Sequence, residues 1–515
     1  MSTKVESQKK RGLFSKFLDV IEFVGNKLPH PVTLFVLLSL IVIIISDIAA
    51  RAGVVVEFER LVSGELQAET VEAVSLLTKD GIRRIFSEAV GNFTGFPPLG
   101  TVLVAMLGVG VAEGTGLIQA ALRKLVLVTP ARLITLVVIF AGIMSNVASD
   151  AGYVVLVPLG ALIFLSFGRH PLAGLAAAFA GVSGGFSANL AIGTLDPLLG
   201  GISQSAAQMY TPGYIVDPTA NWYFMIVSTF VIMAVGTFVT EKIVEPRLGE
   251  FKGDAEVNID QITKEESKGL VWALIALLGF TAVILALVVP QNGILRNDAG
   301  EILGSTPFMG GLVPIIALGF LIPGIAYGIA AKTVKNDKDV AGFMGKAMAS
   351  MGGYLALAFV MAQFVEYFNW TNLGTILAVQ GADFLEATGL VGLPMLIGFI
   401  IVSGFINLFI GSASAKWAIM APIFVPMLMR LGYSPEFTQL AYRIGDSTTN
   451  IITPLMSYFA VIVAFAQKYD KKTGIGTLIS TMLPYSIFFL VAWALLFIVW
   501  FIIGLPIGPG VYVTL

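Results

Sequence analysis

The chain has 515 residues, of which only 12% are charged and 56% are hydrophobic, with a mean hydropathy of +0.87. A soluble chain carries roughly twice that charge, so a water-soluble enzyme, a secreted protein and a disordered protein are excluded. The balance of 31 basic and 33 acidic residues, net −2, leaves no basic field for a nucleic acid, and the lack of cysteine removes disulfides and thiol chemistry.

Residues 1–30 are polar and basic and read as a cytoplasmic segment. Within them, residues 14–27 space apolar side chains at helical intervals, as an interfacial amphipathic helix does. His30, and later His170, each precede a proline at a helix end, which is no metal-ligand pattern. Residues 32–50 form a first span that is too long and starts too late for a signal peptide. The segment 31–96 closes with a long external loop. Further apolar segments fall near 97–122, 129–147, 150–167, 171–200, 222–240, 269–290, 311–331, 350–367, 389–411, 415–431, 437–467 and 478–505, about thirteen in all.

Two adjacent pairs leave almost no room for a loop. Asn146-Val147-Ala148-Ser149-Asp150 joins one pair and Gly411-Ser412-Ala413-Ser414 joins the other. Such short polar turns suit half-helices meeting inside the membrane, where irregular backbone is tolerated only against protein or a water-filled cavity. The expected fold is therefore an all-α polytopic membrane protein with nine spans and two re-entrant hairpins, 129–167 and 389–431. With the N-terminus in the cytoplasm, most lysines and arginines fall inside, while 201–221, 368–388 and 506–515 carry none. The C-terminal tail, 506–515, is then external.

The order of elements repeats. Residues 97–240 hold a span, a hairpin, a broken helix (171–200) and a span; residues 350–505 hold the same series with a broken helix at 437–467. Residues 241–349 supply linker loops and two spans between them. The two units start on opposite sides. Ser187-Ala188-Asn189 before Asp196-Pro197 echoes Ser447-Thr448-Thr449-Asn450 before Pro454. Inverted repeats with interrupted helices are characteristic of secondary transporters.

A charge near the bilayer centre costs roughly 2.5–3.5 kcal/mol on insertion scales, so Glu113, Asp150, Asp196, Glu366, Lys416, Arg443 and Asp446 are candidates for function. Arg443 and Asp446 are three apart on one helical face and read either as an internal ion pair or as a substrate-carboxylate receptor beside a coupling site. Asp196, followed by helix-breaking Pro197, reads either as a helix cap or as a sodium or proton site. Asn146, Ser149 and Asp150 at one tip, and Ser412, Ser414 and Lys416 at the other, offer polar ligands at half-helix N-termini, which attract carboxylates. Trp417 can stack on an aromatic substrate or simply pack. No phosphate-binding loop is present, which argues against ATP-driven transport by this chain.

The chain resembles the p-aminobenzoyl-glutamate transporter (AbgT) family of bacterial inner-membrane carriers, within the wider ion-transporter superfamily. The resemblance rests on Gly25-Asn26-Lys27-Leu28-Pro29-His30-Pro31, Asn92-Phe93-Thr94-Gly95-Phe96-Pro97-Pro98-Leu99-Gly100, Glu245-Pro246-Arg247-Leu248-Gly249, Pro290-Gln291-Asn292-Gly293-Ile294-Leu295-Arg296 and Gly504-Leu505-Pro506-Ile507-Gly508-Pro509-Gly510, among other stretches. It implies a homodimer that carries p-aminobenzoyl-glutamate or exports sulfonamide antimetabolites. The functional positions it implies are Asp196, Ser414, Trp417, Pro435, Arg443, Asp446 and Pro454. Ser145-Asn146-Val147 resembles the superfamily's Ser-Asn-Thr signature with valine in place of threonine. A sodium ion near Asp446 and Asn450, with Asn189 at the matching place in the first repeat, is the only bound group expected; proton coupling stays equally open. The alternatives are a carrier of small di- or tricarboxylates and a channel.

Overall fold

The computed structural model describes residues 29–62, 65–148, 151–251, 261–302, 306–456 and 458–515. The expected interfacial helix at 14–27, and Ser149 and Asp150 at the first tip, lie outside them. The described chain is mostly helical. Among the described residues, six helices are long and apolar enough to cross a membrane: Pro31–Arg51, Pro97–Gly114, Trp222–Leu248, Lys264–Val288, Leu312–Ala330 and Ile475–Ile503. Two bent pairs raise the count to eight if each is one span.

Several boundaries differ from the expected ones for local reasons. The span expected at 97–122 ends at Gly114, and Leu117–Leu127 restarts after Gly116, whose φ of +90° suits a residue without Cβ. Leu117–Leu127 then bends by 115° from the segment ending at Ser145. The external loop 51–96 contains an antiparallel hairpin, Val55–Val62 with Glu65–Glu72, and two short helices, Lys79–Ser87 and Ala89–Thr94. Residues 368–388, expected as an outside connection, hold the helix Leu373–Ala387, which packs along Ala413–Arg430 and pairs Asp383 with Arg430 at 2.6 Å. Asp337–Ser350, within the expected linker, is helical because Asn336 and Asp339 form a reciprocal capping box.

Glycines mark where helices touch. A Cβ on Gly110 would fall 2.2 Å from the Ala347 Cβ, and one on Gly324 would fall 3.0 Å from the Ala112 backbone. Pro97–Gly114 is thereby clamped between its neighbours. A second pattern occurs twice. Between Ile134–Ser145 and the helix starting at Pro171, Gly142 meets Gly181: a Cβ on Gly181 would lie 2.4 Å from the Ile139 carbonyl and 3.1 Å from Gly142 Cα. Between Leu393–Asn407 and Pro435–Asn450, Gly404 meets Gly445: a Cβ on Gly445 would lie 2.3 Å from the Ile400 carbonyl and 2.8 Å from Gly404 N.

Two helices are interrupted next to these contacts. Pro171–Phe179 runs into a wide π-type turn, Ala180–Gly184, and helix resumes only at Leu195–Gln208. The resumed helix passes well beyond the expected end at residue 200. It also begins before Pro197, because a proline in the first turn removes a donor that has no intrahelical partner anyway. Pro435–Asn450 stops ahead of Thr453-Pro454, and Phe459–Gln467 follows.

Candidate functional site

The helix Pro435–Asn450 is the backbone of the site. Pro435 pre-sets its first turn, and the Ser434 hydroxyl accepts the Phe437 N–H at 3.2 Å. Almost all of it is buried, including Arg443 and Asp446. The pairing of these two with each other, expected from their spacing, does not occur. Arg443 Nη2 donates to Asp196 Oδ1 at 2.5 Å, and Lys416 Nζ donates to Asp446 Oδ1 at 2.5 Å. None of the four side chains is more than 5% exposed. The physical reason is neutralisation. An Arg443–Asp446 pair would strand Asp196 and Lys416 as lone buried charges, each costing several kcal/mol. Pairing across helices cancels all four.

Asp196 is not the helix cap that the sequence offered as one reading: Thr194 is the N-cap, without a side-chain cap bond, and Asp196, in the first turn, accepts the Gly193 N–H at its Oδ2, 2.7 Å away. The second pair is held by Asn407, which the sequence reading missed. Asn407 Oδ1 accepts from Lys416 Nζ at 2.5 Å, while its Nδ2 lies 2.9 Å from the Asp446 carbonyl and 2.8 Å from Asn450 Oδ1. An asparagine ending an otherwise apolar helix was the available signal. Lys416 Nζ also lies 5.2 Å from the Tyr442 ring, within cation–π range.

Ser412 caps Ala413–Arg430 by accepting the Ala415 N–H at 3.4 Å, with Ser414 Oγ 3.5 Å away. Trp417 is fully buried. Its indole stacks on Tyr442 at 4.4 Å, and its N–H donates to Ser203 Oγ at 2.9 Å, so in this conformation it packs. At the first tip, Asn146 Nδ2 donates to the Ile143 carbonyl at 3.1 Å and approaches the Gly185 carbonyl at 3.5 Å. Asn189 Nδ2 shares the Ile143 carbonyl at 3.3 Å. Pro454 lies in the second interruption, beyond the end of Pro435–Asn450. Glu113 and Glu366 stand on other helices, Pro97–Gly114 and Gly352–Trp370. Arg443 Nε, Asn146 Oδ1, Ser187 Oγ and Ser447 Oγ are buried without a protein partner among the described residues.

The interruptions and the second tip enclose a cavity of about 120 Å³ lined by Tyr153, Phe186, Gly411, Ala413, Asn450, Met456 and Tyr458. Tyr153 and Tyr458 stack at 4.8 Å. These aromatic residues escaped sequence reading because nothing local distinguishes them from core. A larger cavity of about 920 Å³ gathers 214–218, 306–310 and 509–515 with Glu436, segments that the charge count assigns to one side.

The oxygens expected to hold sodium are already engaged. Asp446 Oδ1 takes the Lys416 ammonium and Asn450 Oδ1 takes the Asn407 amide. Among the described residues no three His, Cys, Asp or Glu side chains are grouped as a metal set.

A family model, that of the AbgT transporter family, matches residues 16–515. The p-aminobenzoyl-glutamate transport protein of Escherichia coli K12 is 41% identical over 492 residues, covering 96% of each chain. Two solved structures are similar throughout. The YdaH transporter of Alcanivorax borkumensis is 46% identical with a TM-score of 0.87, covering 93% of this chain and all of that one. MtrF of Neisseria gonorrhoeae, described as illuminating a class of antimetabolite efflux pumps, is 52% identical with a TM-score of 0.91, covering 96% and all, respectively.

Proposed function

Since the chain belongs to the AbgT transporter family, we propose that it is a secondary active transporter of p-aminobenzoyl-glutamate and related aromatic carboxylates, sulfonamide-type antimetabolites included, driven by an ion gradient across the bacterial inner membrane. The observation that carries this reading is the pair of neutralised ion pairs, Arg443–Asp196 and Lys416–Asp446, buried where two interrupted helices meet. Structural ion pairs are expensive at such depth, and exchangeable ones are what a carrier uses. The recurrence of the glycine contact, Gly142 on Gly181 and Gly404 on Gly445, supports two inverted units, each with a re-entrant hairpin, within nine spans.

In the proposed cycle the glutamyl carboxylates face the N-terminus of Ala413–Arg430 at Ser412 and Ser414, with Arg443 as their cation and Asn146 opposite. Pro435 and Pro454 bound the helix that carries Arg443. Asp196 and Asp446, with Asn189 and Asn450, answer to the coupling ion. The aromatic end enters the cavity of Tyr153, Phe186 and Tyr458 rather than displacing Trp417. That cavity is well below the roughly 300 Å³ that a ligand of this size needs, so the hairpins must move, as elevator-like alternating access requires. The charge distribution supports a cytoplasmic N-terminus and a periplasmic C-terminus; homodimerisation rests on the family resemblance alone.

The aromatic cavity lining favours this substrate class over plain di- or tricarboxylates. Purified protein in liposomes, given labelled p-aminobenzoyl-glutamate with a pH gradient and a sodium gradient imposed separately, tests the reading. Accumulation under one gradient, without competition by succinate, is expected. Equal flux without any gradient would mean a channel, and strong succinate competition would favour the dicarboxylate carrier.

A further inference from the structure

The Lys416 ammonium stands where a coupling cation would bind. Its Nζ donates to Asp446 Oδ1 and to Asn407 Oδ1, two hard oxygens of the kind that coordinate cations. Its remaining side faces the Tyr442 ring. Two further oxygens there, Asn450 Oδ1 and the Asp446 carbonyl, already accept from the Asn407 amide, and the second Asp446 carboxylate oxygen, Oδ2, faces the Asn450 amide at 3.4 Å.

Charge leads to the same conclusion. Asp196, Arg443, Lys416 and Asp446 sum to zero, all nearly inaccessible to water. A sodium ion added beside Asp446 would leave one net positive charge in a medium that solvates it poorly. It would also have to compete for an oxygen already held by an ammonium on a short tether. Lys416 lies on the hairpin helix Ala413–Arg430, and Asp446 lies on the interrupted helix, so the contact ties the two moving parts together through the cation itself.

We propose that Lys416 is a built-in substitute for a coupling sodium ion, that it excludes sodium from the Asp446–Asn407 oxygens, and that this one side chain sets the ion selectivity of the carrier. The inference rests on reading the chain as a gradient-driven carrier, but its test does not use the transported substrate. Removing the ammonium while keeping the volume, in Lys416→Gln, leaves Asp446 as a lone buried carboxylate beside Asn407. Sodium is then the obvious ion to restore neutrality. Lys416→Arg keeps the charge and should keep sodium out.

The experiment is binding of radioactive sodium to the purified full chain in detergent, with choline chloride as the control salt and thermal melting as a second readout. The wild type and Lys416→Arg should bind no sodium and melt at the same temperature in either salt. Lys416→Gln should bind sodium and gain at least several degrees in sodium chloride over choline chloride. The double variant Lys416→Gln with Asp446→Asn should lose that binding. Sodium binding by the wild type that Asp446→Asn abolishes overturns the proposal, and this arm stands even if Lys416→Gln does not fold. A folded Lys416→Gln that binds no sodium overturns it too. Failure of the liposome assay to show p-aminobenzoyl-glutamate transport would sink the functional reading and leave the sodium result unaffected.

Discussion

Asp446 and Arg443 sit one turn apart yet answer to different partners, and each can be probed by what it leaves behind. Asp446→Asn strands the Lys416 ammonium, and breaking a buried pair from one side costs about 3–5 kcal/mol. We expect lower thermal stability and no coupled transport. Replacing both partners with apolar residues, Lys416→Met with Asp446→Leu, should recover most of the stability and none of the transport. Normal gradient-driven flux in Asp446→Asn would remove the residue from the coupling step. For Arg443, the planar fork matters as well as the charge. Arg443→Lys should weaken substrate binding, measured by equilibrium dialysis, and Arg443→Ala should nearly abolish it. Intact binding in whatever fraction of Arg443→Ala folds would reduce Arg443 to a structural counter-ion for Asp196.

At the scale of elements, the glycine contacts and the caps decide how helices meet. A methyl on Gly445 has nowhere to go, with the Ile400 carbonyl 2.3 Å away. Gly445→Ala should therefore destabilise by about 1–3 kcal/mol through overpacking, read as a drop in melting temperature. Gly279→Ala, where no atom lies within 4 Å, should leave stability unchanged or slightly raised. His170 caps Pro171–Phe179 by accepting the Leu172 N–H at Nδ1, 3.2 Å away. Burial pushes its pKa below the ordinary 6.5, with Glu245 and Asp470 opposing the shift. The unfolded chain therefore takes up the proton first, so this contribution is complete above about pH 6.5 and is lost as the pH falls below it. The wild type should lose stability between pH 7.5 and pH 5.5 by an increment that His170→Asn, a cap without a titrating ring, does not show.

Across the whole molecule, the proposed alternating access requires the hairpins and interrupted helices to slide past Pro97–Gly114. Gly201, on the resumed helix, faces Pro98 so closely that a Cβ would lie 2.8 Å from Pro98 N and 3.0 Å from its Cα, so a side chain there must push the two helices apart. Gly201→Val should lower the melting temperature and slow transport in the liposome assay. Undiminished stability and transport in Gly201→Val would show that this contact does not govern the movement. The same scale explains the loop ends. Arg169 with Glu245, and Arg123 with Glu266, join segments that the charge count puts on one side. Asn372 bonds the Glu72 carbonyl at 2.8 Å among segments that it puts on the other.

Composition alone determined that this chain lives in a membrane, because no aqueous fold can bury so much apolar surface with so little charge. The long spans were legible for the same reason, and so were the interruptions near 185–194 and 451–458, where Gly, Ser, Asn and Pro replace helix formers. Asp196, Lys416, Arg443 and Asp446 stood out simply as charges in apolar surroundings. Their partners did not. Spacing along one helix pointed to Arg443–Asp446, whereas the folded chain brings Asp196 from 247 positions away to Arg443 and Lys416 from 30 positions away to Asp446. Tyr153 and Tyr458 were likewise unreadable, since a tyrosine acquires its role from what faces it, while Asn407 showed only as a polar end to an apolar helix. Local pattern reports which groups are costly to bury; only the packing of helices distant in sequence decides which charge neutralises which.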